Sequence, residues 1–286
     1  MKNIKHSLVI KLLFVTLVLC FSCNSSDSDG GSTENPTSCN GTTTNTPKGN
    51  NDVLIWSDEF NEDGSPCSSN WSYEVGTGSN GWGNNEEQYY TNGDQNNVSI
   101  ENGILKITAI KELYRGSQYT STRMLTQNKF SFTYGKVEVR AKLPSGGGTW
   151  PAIWMLGENI TSVGWPTCGE IDIMEHVGNR PGSTSSAIHN NAGYGGTYFG
   201  NEQHTETATS EFHIYGIVWD SEKIEFTIDG QVHFTYSPSN KDINNWPYDA
   251  NQFIILNIAM GGTLGGNIPS NFTESTMEID YVRVYQ

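Results

Sequence analysis

The sequence predicts an all-β fold, a sandwich or a barrel of short strands. Short runs of alternating or wholly apolar residues recur from Val53 to the C-terminus, with turn residues between them. No stretch carries sustained helical periodicity. The composition agrees: 31 Gly, 8 Trp and 13 Tyr, with only 16% charged residues. Such a chain suits strands, turns and an aromatic stacking surface better than a helical bundle.

Met1 to Ser22 reads as a secretion signal. Lys2, Lys5 and Lys11 supply positive charge, and the apolar run from Leu12 to Phe21 is too short to span a bilayer. Cys23 follows Ser22, the small residue that cleavage requires; Cys20 follows Leu19, a poor fit. The segment resembles a bacterial lipoprotein signal, which implies lipidation of Cys23. Ordinary secretion with cleavage nearby is the alternative. Residues 23–51 are rich in Ser, Thr, Asn, Gly and Pro and cannot bury enough apolar surface to offset chain entropy, so a flexible tether is expected. The acids Asp27 and Asp29 resemble the surface-export signals of Bacteroidetes-type lipoproteins. The expected location is therefore the outer membrane or cell surface, otherwise the medium, with membrane contact only through a lipid anchor.

The folded domain is expected over residues 52–286, an acceptable length for one all-β domain. Its strand-like runs are Leu54–Trp56, Ile104–Thr108, Lys136–Leu143, Glu211–Trp219 and Lys223–Ile228. Asp229-Gly230, set between Phe226–Ile228 and Gln231–Phe234, is a strong hairpin signal. Cys39 and Cys67 both lie near the domain's start and can pair in an oxidising compartment, although spacing alone does not establish the bond. Cys168 has no cysteine-enzyme context and reads as a small packed residue.

The formal net charge is −15, and the leader contributes three lysines and no acid. Such a surface repels phosphate backbones, which argues against a nucleic-acid partner. It also favours a neutral polysaccharide over an anionic one.

Gly169-Glu170-Ile171-Asp172-Ile173-Met174-Glu175-His176 is the chemically informative stretch. Side chains alternate across a strand, so Glu170 and Asp172 share one face while Ile171 and Ile173 share the other. Strict alternation would put Glu175 on the apolar side. One extra residue in a bulge returns it to the acidic face, and bulges are common beside active sites. A solvated acidic strand is the plain alternative. Chemistry can use the repulsion: a retaining glycosidase needs an ionised carboxylate and a protonated one roughly 5–5.5 Å apart. On a flat strand the two Glu backbones would stand about 13 Å apart, so the strand must bend towards its substrate.

This stretch resembles the catalytic signature of glycoside hydrolase family 16, in the bulged form typical of endo-β-1,3-glucanases (laminarinases). The resemblance runs from about Val53 to the C-terminus. It includes Gly81-Trp82-Gly83-Asn84-Asn85-Glu86, the run Gly148 to Leu156, Gly164-Trp165-Pro166 and the closing Ile279 to Tyr285. It implies a β-jelly roll of two curved antiparallel sheets. It implies Glu170 as nucleophile, Asp172 as assisting carboxylate, Glu175 as acid/base and Met174 as the inserted bulge residue.

The same resemblance implies Trp154 beneath the sugar at the cleavage point, with Trp150 and Trp165 further along the cleft. Without it, core packing is an equal reading of Trp150 and Trp154. Asn85, Arg123 and His189 match substrate-contacting positions; a surface ion pair is the alternative for Arg123. Glu86 and Glu87 are given a supporting role at most, and alternation makes His176 a packed or capping histidine. No zinc pattern is present. No cofactor is required for catalysis. A structural calcium ion is implied on the convex side, held by the Asp280 carboxylate and the carbonyls of Glu59 and Gly103, as suits a hard cation.

The expected activity is endo-hydrolysis of β-1,3-glucosidic bonds in laminarin-type glucans, by a monomer acting with retention. The rivals are another family 16 specificity (mixed-linkage β-1,3-1,4-glucan or a galactan) and a non-catalytic glucan-binding surface lipoprotein.

Overall fold

The computed structural model describes residues 53–286. The leader, the tether, Cys23 and Cys39 lie outside the described residues. Cys67 is disulfide-bonded; its expected partner, Cys39, is among those outside.

The chain forms β1 (Leu54–Asp58), β2 (Ser72–Tyr73), β3 (Gln88–Tyr90), β4 (Val98–Glu101), β5 (Ile104–Tyr114), β6 (Ser117–Ser121), β7 (Arg123–Leu125), β8 (Gly135–Lys142) and β9 (Thr149–Gly157). It continues with β10 (Glu170–His176), β11 (Ser183–His189), β12 (Phe199–His204), β13 (His213–Trp219), β14 (Ile224–Ile228), β15 (Gln231–Tyr236), β16 (Gln252–Met260) and β17 (Glu274–Tyr285). One sheet has seven strands in the order β12-β11-β10-β9-β16-β7-β2. The other has ten, along the path β15-β14-β13-β8-β17-β5-β6-β3, with β1 paired to β17 and β4 to β5. This is a β-jelly roll. The pairs are antiparallel except β3 with β6, which run parallel.

Alternation builds the core between the sheets. In β8, Val137, Val139 and Ala141 point inward, while Lys136, Glu138, Arg140 and Lys142 line the outer face. In β17, Met277 and Ile279 point inward, a bulge follows, and Val282 and Val284 resume the pattern. Ile153, Met155, Ile171, Ile173, Leu256 and Ile258 meet them from the seven-stranded sheet. Strand β16 is buried along its whole length. Ile254, Leu256 and Ile258 face the main core, and Phe253 and Ile255 face a second cluster with Leu125, Leu156 and Cys168. A strand covered on both faces reads as a continuous apolar run, as here. The predicted hairpin joins β14 and β15, with Asp229 and Gly230 at φ 50° and 75°, both in the left-handed region that a primed turn demands.

His176 follows Glu175 and is fully buried, with no protein partner for either ring nitrogen. Burial, and then Arg180, holds it down to about 4. An unfolded histidine titrates near 6.5, so between pH 6.5 and 4 the unfolded chain takes up a proton that the folded chain refuses. Stability from this group is complete above that window and is lost as the pH falls through it, by up to about 3 kcal/mol. Thermal unfolding of the protein and of His176→Gln at pH 7 and pH 4.5 measures the effect. The variant is expected to lose less of its Tm on acidification.

Candidate active site

The site lies on the face of the seven-stranded sheet opposite the main core. Its centre is β10, where alternation places Glu170 and Asp172 outward and Ile171 inward. The bulge falls where the sequence requires it. Asp172 pairs with Trp154 of β9, Met174 with Ile153 and Glu175 with Ala152. The residue left without a β9 partner is thus Ile173, not Met174 as the resemblance implied. Both are buried in the main core, so the strand spends two successive residues inward and returns Glu175 to the acidic face.

Cross-strand register assembles the rest. Trp154 stands opposite Asp172, and Trp150, two residues along the same face from Ala152, is the diagonal neighbour of Glu175. Arg123 of β7, Asn257 of β16, Ala152 and Glu175 form one row across four strands. The small side chain of Ala152 leaves space in that row between Asn257 and Glu175. His189 pairs with Glu170.

The tryptophans do more than line the groove. Trp150 Nε1 donates to Glu175 Oε1 at 3.0 Å, and Trp165 Nε1 donates to Glu170 Oε2 at 2.8 Å. Trp154 Nε1 donates to Asn257 Oδ1 at 2.7 Å; Asn257 Nδ2 donates to the Tyr90 hydroxyl, which donates to Glu86 Oε2. Arg123 is largely covered. Its guanidinium lies 4.6 Å from the ring centroid of Trp82 and 4.7 Å from that of Trp154, and it pairs with Glu74 at 2.6 Å. The arginine and the Asn257 bond therefore fix the Trp154 ring from its face and its edge. Glu86 acts as the anchor of this network, consistent with a supporting role. Asn85 is exposed at the end of the loop Gly81–Asn85, with φ 57°.

His189 receives a hydrogen bond at Nδ1 from the Gly195 amide at 3.2 Å. That leaves the proton on Nε2. Nε2 lies 3.1 Å from Asp172 Oδ2 and 3.9 Å from Glu170 Oε1. Trp165 and Tyr198 stand against His189, and Tyr194 packs edge-on against Trp165; each of the three is about half exposed.

Three carboxylates in one buried cluster cannot all be ionised, and they titrate as a unit. Burial first, then the charges of Asp172 and Glu175, push the Glu170 carboxyl up to about 8; His189 and the Trp165 bond oppose this. Burial, and then Glu175, raise Asp172 well above the usual carboxylate range, and it shares a hydrogen bond with Glu170. Burial raises Glu175, against the Trp150 bond and His189. Asp172 is only 4% exposed, and this burial favours its neutral form. Once it is neutral, its repulsion of Glu170 is gone, and the cluster can hold one anion and one acid either side of it.

Glu170, Asp172 and His189 each offer one atom within 4.8 Å of the others, a donor set chemically able to hold a cation. The expected calcium set fits poorly. Its one carboxylate ligand, Asp280, accepts at Oδ2 from Arg140 at 2.6 Å; Glu59 and Gly103 were expected to offer only their carbonyls. Arg140 already neutralises the one acid of the set, whereas calcium seeks six to eight oxygens with anionic charge among them. Cys168 is buried in the second cluster, and burial pushes its thiol up to about 11, so it is inert packing.

Asn257, Tyr90, Tyr194 and Tyr198 were not anticipated. Asn257 had a signal, a lone amide in the apolar run Phe253 to Met260. Tyr90 joins a local acid, Glu86, to the distant Asn257, a link that leaves no local pattern.

Three relatives place this architecture. A beta-glucanase of Rhodothermus marinus is 42% identical over 245 residues, spanning 82% of this chain and 85% of that protein. The crystal structure of the laminarinase from Rhodothermus marinus superposes with a TM-score of 0.78 at 43% identity, over 82% of this chain and 96% of the other. That of laminarinase from Flavobacterium sp. UMI-01 gives 0.77 at 44% identity, over 82% and 100%. The profile of the glycosyl hydrolases family 16 matches residues 85–283, a span that holds β10, its bulge and every groove tryptophan. A match over most of the chain, centred on the strand that carries the acids, makes this protein a member of glycosyl hydrolases family 16.

Proposed function

We propose that the protein is a retaining endo-β-1,3-glucanase acting on laminarin-type glucans. The observation that carries this reading is the bulged strand that brings Glu170, Asp172 and Glu175 to one face, each of the two glutamates bonded by an indole. Glu175 protonates the glycosidic oxygen as Glu170 attacks the anomeric carbon. The carbon–oxygen bond breaks, the aglycone leaves as an alcohol, and a glycosyl ester of Glu170 remains. Glu175, now a carboxylate, takes a proton from water as that water attacks the anomeric carbon; the bond from that carbon to Glu170 breaks, Glu170 leaves as a carboxylate, and the product has retained configuration. Asp172, kept neutral by burial, hydrogen-bonds the Glu170 carboxyl and adds no charge beside it. Trp154, braced by Arg123 and Asn257, offers its face to the sugar at the cleavage point, and Trp150, Trp165, His189, Asn85 and Arg123 border the chain.

The substrate follows from the company the chain keeps: two solved structures above 40% identity carry the name laminarinase. The wider name beta-glucanase on one relative keeps mixed-linkage glucan as the second reading. Binding without catalysis has no use for an acid beside a nucleophile. No cofactor takes part, and the chemistry calls on no metal. A leader over residues 1–22, lipidation of Cys23 and a tether to residue 51 would present the catalytic domain, residues 52–286, at the cell surface as a monomer. Among the described residues no helix is long and apolar enough to cross a membrane.

Reducing-sugar release from laminarin, curdlan, barley mixed-linkage glucan, agarose and κ-carrageenan tests the reading. Laminarin is expected to be cut fastest, into mixed oligosaccharides. Activity on a galactan alone would keep the mechanism and overturn the substrate. Binding of laminarin without cleavage would overturn the enzyme.

A further inference from the structure

In a sugar groove, tryptophan is ordinarily explained by its face, which stacks on the apolar side of a pyranose ring. Its single N–H is then left for water or a sugar hydroxyl. Here the N–H of Trp150 is committed to Glu175 Oε1 and that of Trp165 to Glu170 Oε2, at 3.0 and 2.8 Å. The indole donates, never accepts and never titrates. A carboxylate oxygen that receives it is therefore the oxygen that stays unprotonated. On Glu175 this places the acid proton on Oε2, the oxygen turned away from Trp150. On Glu170 it favours the anion over the acid.

We propose, building on the double-displacement reading above, that Trp165 and Trp150 are positioning residues with divided duties. Trp165 holds Glu170 as the attacking carboxylate, and Trp150 seats Glu175 with its proton on the oxygen that faces the leaving group.

The surroundings leave these bonds as the distinguishing feature. Glu170 faces Asp172 and Glu175 from its own strand, His189 from β11 and the Cys168 thiol from the preceding loop, with Tyr248 nearby. Glu175 faces Asp172 on its own strand and His189 on β11; β9 contributes no titratable group. Asp172 and His189 thus act on both glutamates, and the indoles act on one each. The two indoles also come from different elements, Trp150 from β9 and Trp165 from the loop before β10, so each can be altered alone.

Trp165→Phe and Trp150→Phe keep an aromatic face and delete the N–H. The profile of kcat/KM against pH on laminarin is the readout. Loss of a hydrogen bond to a charged group shifts its titration by about one unit. Trp165→Phe is expected to move the acid limb to higher pH and leave the alkaline limb nearly in place, because Glu170 becomes harder to ionise. Trp150→Phe is expected to move the alkaline limb to higher pH, because Glu175 holds its proton longer, and to leave the acid limb nearly in place. Unmoved limbs with a raised KM would show that the rings only stack, and the proposal would be wrong. Both limbs moving together in both variants would also overturn it. Trp165 is 46% exposed, so its replacement threatens the fold least and decides the matter if Trp150→Phe loses its native circular dichroism. Activity surviving Glu170→Ser would instead overturn the underlying role assignment, an outcome the phenylalanine variants do not mimic.

Discussion

Glu170→Ser and Glu175→Ala are each expected to abolish useful turnover while leaving the fold intact. Removing a covalent nucleophile costs at least about 10⁴-fold in kcat. Removing a general acid costs about 10²–10⁴-fold, and less on substrates whose leaving group needs no proton. The two variants should therefore diverge on an aryl β-laminaribioside with an activated phenol: Glu175→Ala keeps a burst of phenol release, and Glu170→Ser does not. Fold retention is expected because neither side chain belongs to the core between the sheets, and because burial raises the carboxyls of both glutamates, so the folded state bears a cost to ionise them. Reducing-end release and far-ultraviolet circular dichroism on the same preparations check both halves. Wild-type rates in either variant would refute the assignment.

Trp154→Ala is expected to have the next largest effect. The ring stands opposite Asp172, bonded at its edge to Asn257 and stacked against Arg123. Truncating a braced aromatic anchor costs about 2–4 kcal/mol, roughly 30- to 1,000-fold in kcat/KM on laminari-oligosaccharides. Part of the loss comes from Arg123, whose guanidinium would keep only the Trp82 face. Trp154→Phe retains a stacking face but lacks the Asn257 bond, so an intermediate loss is expected. If both variants stay within twofold of wild type, Trp154 does not form the floor of the site.

The acidic strand was legible in the sequence because its information is local. Alternation fixes which residues share a face, and counting from Asp172 to Glu175 reveals that one residue too many stands between them. The same count could not say which of Ile173 and Met174 loses its partner, since both are apolar and both point inward. The hairpin at Asp229-Gly230 was legible for a similar reason, the φ > 0 that two adjacent turn residues require.

What stayed hidden depends on distant partners or on ring orientation. Periodicity assigns a tryptophan to a face of the sheet but does not say where its N–H points, so the bonds from Trp150 and Trp165 to the glutamates had no sequence signature. The clamp of Trp82 and Trp154 on Arg123 had no sequence signature either, because the two rings come from a loop and a strand on either side of it in sequence. The calcium expectation rested on the Asp280 carboxylate and the carbonyls of Glu59 and Gly103 alone, and the arginine that pairs with Asp280 comes from β8. The parallel pairing of β3 with β6 is likewise set by tertiary contacts and not by the composition of either strand.

The central claim is that Glu170 attacks and Glu175 protonates. The anomeric configuration of the glycosyl azides formed when each variant turns over an aryl β-laminaribioside in the presence of azide tests it most directly. In Glu175→Ala, azide intercepts the ester on Glu170 and should give the β-glycosyl azide. With Glu170 replaced, azide itself attacks in its stead, and the product should be the α-glycosyl azide. The opposite pairing of variant and anomer, read by proton NMR, would exchange the two roles and contradict the double-displacement mechanism with Glu170 as nucleophile.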